Sequence, residues 1–166
     1  MYSVCLVALI QLKYVCVLVE WYREDEVGQA IRNTECNAPE DLVVVTKVHP
    51  RSYELNAMRV SLQKSQMDLY GEAKKLDVVL LHAPFCWEGH CNDEQAEFLH
   101  SGGWHAAWRN LEQMHDEGLV AAIGVSNFHP NQLIELLSFV ANKRVAVVQN
   151  FMVRCEIFIT DYVRIH

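Results

Sequence analysis

The sequence predicts an α/β domain built on a parallel sheet, and three features carry that prediction. Four apolar runs, Leu42–Val45, Val78–Leu81, Val120–Val125 and Val145–Val148, are continuous rather than alternating. Such runs mark strands covered on both faces. Between them, apolar residues recur at helical spacing, the pattern of successive βαβ units. Each run also ends on polar residues: Thr46-Lys47, His82, Ser126-Asn127 and Gln149-Asn150. Composition agrees. The 166 residues suit one domain, and 51% hydrophobic against 21% charged residues excludes wholesale disorder. A formal net charge of −7 without a basic stripe argues against a nucleic-acid partner.

Taken in order, the elements begin with an almost entirely apolar stretch, Met1–Val19, interrupted by Ser3, Gln11 and Lys13. Its β-branched residues, Tyr14 and the break near Gln11 predict two buried strands. A membrane anchor is the other reading, but a Lys near the middle of a span costs about 2.5–3.5 kcal/mol. The acidic turn Arg23–Glu26 precedes a short helix through Val27–Ile31, its acids at the favourable end of the helix dipole. Asn33–Glu40 is polar, contains Pro39 and reads as a loop. Ser52 is placed to cap a helix carrying Leu55, Met58, Leu62 and Leu69 on one face. A long polar loop is expected between His82 and Gly103. Trp104, Ala107, Trp108, Leu111 and Met114 then line one helix face, a core stripe that Gly118 ends. Leu133, Leu136, Leu137 and Val140 make the next helix face. The tail run Glu156–Val163 is a candidate strand to cover an open sheet edge.

The six cysteines contain no CxxC pair. Cys86-Trp-Glu-Gly-His90-Cys91 offers three soft ligands, but no second pair follows, so no metal is expected. Reduced thiols in a surface loop are the expectation there, and a cytoplasmic location goes with them. No Gly-x-Gly-x-x-Gly or phosphate-cradling loop follows any strand. Polar residues at the carboxyl ends of consecutive parallel strands converge on one rim, which is where a (β/α)8 barrel builds its site.

Several segments together resemble the aldo-keto reductase family. They are Glu24-Asp-Glu-Val-Gly-Gln-Ala-Ile31, Val45-Thr-Lys47, Leu76-Asp-Val-Val-Leu-Leu-His82-Ala-Pro84, Trp108 with its helix to Gly118, Ala122-Ile-Gly-Val-Ser-Asn-Phe128 and Val147-Val-Gln149. They run in the family's order over about residues 24–151. The resemblance implies NADPH-dependent reduction of small-molecule aldehydes and ketones by hydride transfer. It implies Tyr22 as proton donor, Lys47 as its activator and His82 as the group that orients the carbonyl. Ser126, Asn127 and Gln149 would bind the nicotinamide carboxamide. It also places His49 at the substrate mouth, where a solvated loop histidine is the alternative.

Residues 1–23 and 153–166 diverge from the family. Its spacing puts Trp21 where the catalytic Tyr stands and Cys16 where an Asp stands; if the turn is one residue shorter, Tyr22 takes the Tyr place and Val17 the Asp place, with no Asp on either register. A full barrel takes about 250 residues, and the strand spacing allows about five βα units here. The expectation is therefore a single domain over residues 1–166 forming an incomplete (β/α)8 barrel. Three functions follow: a carbonyl reductase, a catalytically silent family fragment, or an interaction module. The last would use open sheet edges for self-association, with a membrane the less favoured partner.

Overall fold

The computed structural model describes residues 14–16, 23–33, 42–140 and 145–150, the first of these segments by its backbone. Five strands lie among them: β1 (Tyr14–Cys16), β2 (Val43–Val48), β3 (Leu76–Leu81), β4 (Val120–Ser126) and β5 (Val145–Gln149). All neighbouring pairs are parallel and the sheet order is β1-β2-β3-β4-β5. Strands laid down in sequence order form an arc wound in one direction. A doubly wound sheet would reverse its order at a switch point.

Five helices connect them: α1 (Glu24–Arg32), α2 (Leu55–Tyr70), α3 (Asp93–His100), α4 (Trp104–Asp116) and α5 (Pro130–Phe139). Two local expectations need correction. Glu54, not Ser52, caps α2: its Oε2 accepts from the backbone N–H groups of Asn56 and Ala57, both at 3.1 Å. Ser52 instead ends a 3-10 turn over Pro50–Ser52. The segment read as a long loop contains α3, which Asn92 and Gln95 open with a reciprocal capping box. The predicted strands near residues 1–11 and the tail strand lie outside the described residues.

The core forms between the sheet and one layer of helices. Val44, Val48, Val79, Leu81, Ile123 and Val125 face Met58, Leu62, Leu69, Trp108, Leu111 and Met114. Trp104 and Trp108 are buried, as their spacing predicts, and Phe128 meets the Trp104 ring edge-on at 5.2 Å. Leu136 is buried, whereas Leu137, expected on the same face, is exposed. No described helix is long and apolar enough to cross a membrane.

Two motif glycines are there for clearance. A Cβ on Gly28 would stand 1.9 Å from the Asp68 carbonyl oxygen, so α1 can pack this closely on α2 only through glycine. A Cβ on Gly124 would stand 2.1 Å from the Val147 carbonyl oxygen, at the point where the β4–β5 register shifts. Between β2 and α1, the Thr46 hydroxyl donates to Glu24 Oε1 in the buried layer. Glu24 was read as a helix-dipole acid. Its burial under the sheet raises its carboxyl above the usual range.

Candidate active site

Register settles which strand-end residues share a face. Lys47 pairs with Leu80, Leu80 with Gly124 and Gly124 with Val147. Side chains alternate across a sheet, so those four residues point to one side. Two residues further on, His82, Ser126 and Gln149 point the same way. This is the face opposite the helix-packed core. Lys47, His82 and Ser126 are buried there, and Gln149 is exposed.

The backbone around these residues is stapled. The His82 N–H donates to the Val48 carbonyl at 3.0 Å, and the His82 carbonyl accepts from Asn127 Nδ2 at 2.8 Å. The Asn127 N–H donates to the Gln149 carbonyl at 3.1 Å, so one residue joins the ends of β3, β4 and β5. Asn127 does this at φ 58, a left-handed conformation that asparagine tolerates better than most residues. Its Nδ2 also donates to Ser126 Oγ at 3.1 Å. Asn150 forms a reciprocal pair with Phe128: the Phe128 N–H donates to Oδ1 at 3.1 Å, and Nδ2 donates to the Phe128 carbonyl at 2.8 Å.

Two histidines define the electrostatics. His82 is pushed down to about 4, chiefly by burial and then by the Lys47 charge and His49. His49 is likewise pushed down to about 4 by burial, then by Arg51 and His90. Both imidazoles are therefore neutral at pH 7. Their ring centroids are 6.0 Å apart. His49 is buried and its Nδ1 accepts from the Arg51 N–H, which replaces the alternative of a solvated loop histidine. His82 Nδ1 is buried with no hydrogen-bond partner among the described residues.

The loop after β3 supplies features that sequence reasoning missed. Trp87 lies with its ring centroid 4.6 Å from that of His82, and His90 lies 6.2 Å from His49. Cys86 and Cys91 are joined in a disulfide, not reduced as expected, with Cα atoms 6.0 Å apart. Gly89, at φ 77, makes the turn that brings them together. Among the described residues no group of three or more His, Cys, Asp or Glu side chains could hold a metal. Tyr53, also unanticipated, is buried: its hydroxyl donates to the Ala83 carbonyl at 2.7 Å and accepts from the Ala83 N–H at 3.2 Å. It thereby holds the backbone next to His82.

Among the predicted site residues, the structure brings Lys47, His82, Ser126 and Gln149 onto one face and places Asn127 in the turn that joins their strands. Tyr22 and Trp21 lie outside the described residues. Cys16 is in backbone register with Val45, two residues before Lys47.

Known proteins resemble this chain in sequence and fold. A model of the aldo/keto reductase family matches residues 20–158. Aldo-keto reductase family 1 member C13 of Mesocricetus auratus is 33% identical over 123 residues, covering 69% of this chain and 38% of the relative. The human family 1 member A1 is 30% identical over 135 residues, covering 76% and 41%. Among solved structures, the aldo-keto reductase AKR2E5 of the silkworm, Bombyx mori, complexed with NADPH, superposes with a TM-score of 0.69 at 29% identity. That likeness covers 87% of this chain and 42% of the silkworm enzyme. The sheet is thus part of a (β/α)8 barrel, and the chain spans about two fifths of the length of these relatives.

Proposed function

Because the chain belongs to the aldo/keto reductase family, we propose that its rim is the cofactor- and carbonyl-facing edge of an NADPH-dependent carbonyl reductase. The single observation that supports this most is the register that sets Lys47, His82, Ser126 and Gln149 on one face at the strand ends. The silkworm relative solved with NADPH adds to it.

The residues present suit a nicotinamide carboxamide, which both donates and accepts hydrogen bonds. Ser126 Oγ accepts from Asn127 and keeps its own proton to donate. With Asn127 Nδ2 engaged by His82 and Ser126, its Oδ1 is the atom suited to accept. Gln149 presents an exposed amide beside Ser126. Bound NADPH supplies the hydride. The remaining chemistry belongs to this chain's residues. As negative charge builds on a carbonyl oxygen, a neutral His82 donates its ring N–H and fixes the oxygen's direction. Tyr22 gives the proton. A phenol has an ordinary pKa near 10 and is a poor acid at neutral pH; the Lys47 ammonium lowers it and makes the transfer feasible. The products are an alcohol and the oxidised dinucleotide.

A second reading, a catalytically silent family member, is favoured by one observation. On the family's spacing the Asp place falls on Cys16 counted from Glu24 and on Val17 counted from Tyr22, so the sequence carries no carboxylate there on either count.

NADPH titration of the folded chain, followed by tryptophan fluorescence with NADH as comparator, tests the main reading. Saturable quenching by micromolar NADPH, followed by turnover of an aldehyde, is expected. Binding without turnover would establish the silent reading. A folded chain whose fluorescence does not change with either dinucleotide would overturn the cofactor site altogether.

A further inference from the structure

The Cys86–Cys91 bond spans a sequence separation of only 5, and the residues it encloses carry the two rings that cover the rim histidines. Trp87 packs on His82 at 4.6 Å and His90 approaches His49 at 6.2 Å. Phe85, just before the bond, packs against Trp87 at 5.1 Å. Glu88, Gly89 and His90 are exposed, Cys91 is half-buried, and Cys86 is half-buried against the core, so the loop that carries the bond stands at the surface. Bridging so short a segment constrains the unfolded chain less than closing a long loop would, so opening the bond costs the fold less than breaking a long-range disulfide.

We infer that Cys86–Cys91 is a redox modification site, a clasp that holds Trp87 and His90 over the imidazoles of His82 and His49 and releases them on reduction. The reductant is a dithiol. One of its thiolates attacks a cysteine sulfur, the Cys86–Cys91 bond breaks and a mixed disulfide forms. Its second thiolate then displaces the remaining cysteine. Two electrons and two protons pass to the cysteines, which end as thiols, and the dithiol ends as its own disulfide. Disulfides at the surface are reduced more readily than deeply protected structural ones.

The functional consequence is access. Burial is the largest cause holding both imidazoles neutral, ahead of the charges of Lys47 and Arg51 and the neighbouring histidines. Loosening the loop readmits water to the same face on which Ser126 and Gln149 stand. This inference concerns what covers the histidines, and it holds whether or not the rim binds NADPH.

Differential alkylation with peptide mapping, combined with histidine proton NMR, tests it on the full chain before and after dithiothreitol. In oxidising buffer Cys86 and Cys91 are expected to resist alkylation. After reduction both are expected to label, while far-UV circular dichroism stays constant. Two histidine titrations are then expected to rise by about one pH unit or more toward their ordinary range, and to return on reoxidation. The C86S/C91S double variant is expected to show the reduced titrations without reductant. Full alkylation before reduction would overturn the inference, because no bond would exist. So would titrations that are identical with the bond open and closed. Loss of circular dichroism on reduction would also overturn it, making the bond a structural staple.

Discussion

His49 and His82 each titrate near 4 in the folded chain, well below the ordinary histidine value of 6.5. Between these values the unfolded chain binds more protons than the native one, so stability rises with pH through this window and is flat above it. Acidification from pH 7 to pH 4 is therefore predicted to remove on the order of 3 kcal/mol through each histidine, read as a fall in the urea midpoint. Replacing His49 and His82 by Gln should flatten this pH dependence. Tyr53→Phe carries a second prediction at this scale. It leaves the buried Ala83 carbonyl and N–H without their partner, and is expected to cost about 1–3 kcal/mol in urea unfolding. The strand-end groups Lys47, His82, Ser126 and Gln149 were legible in the sequence because each closes an apolar run. Tyr53, Trp87 and the Cys86–Cys91 bond were not. Their roles arise from contacts across a turn or between elements, and no periodicity or motif spacing records those.

At the scale of elements, the glycine inside Ile123-Gly-Val-Ser-Asn127 is a contact requirement. Gly124→Ala would drive a methyl group into the Val147 carbonyl and the Leu80 side chain. It is predicted to displace β5 from β4 and cost about 1–3 kcal/mol by the overpacking rule, read as a lower thermal midpoint with loss of amide protection in Val145–Gln149. The sheet and the large amphipathic helices were legible because burial on one or both faces writes a long signal into the chain. Helix α3 was not, because of its eight residues only Leu99 is buried, too little for a periodic pattern. Its signal lay in the capping pair Asn92 and Gln95 instead. The start of α2 was misread for a related reason: Ser52 and Glu54 both suit a cap, and only the turn at Pro50 shows which one faces the free N–H groups.

Across the whole molecule, one buried layer connects the sheet to α2, α4 and α5, with Trp108 fully buried near its middle. Trp108→Ala is predicted to cost about 3–5 kcal/mol and to abolish a single cooperative unfolding transition. The resemblance to a barrel enzyme was legible from ordered motifs, and the parallel sheet in order β1-β2-β3-β4-β5 agrees with it. The proton donor that the resemblance implies, Tyr22, is one residue off the family's spacing and lies outside the described residues. The strand ends on one face of this sheet are the proposed dinucleotide-binding rim. The most direct measurement is a titration of the isotopically labelled chain with NADPH, following backbone and side-chain amide resonances. Saturable shifts confined to Lys47, His82, Ser126, Asn127 and Gln149 are predicted, with little change in α2 and α4. Unchanged resonances at these positions, or shifts centred on the helical face, would contradict it.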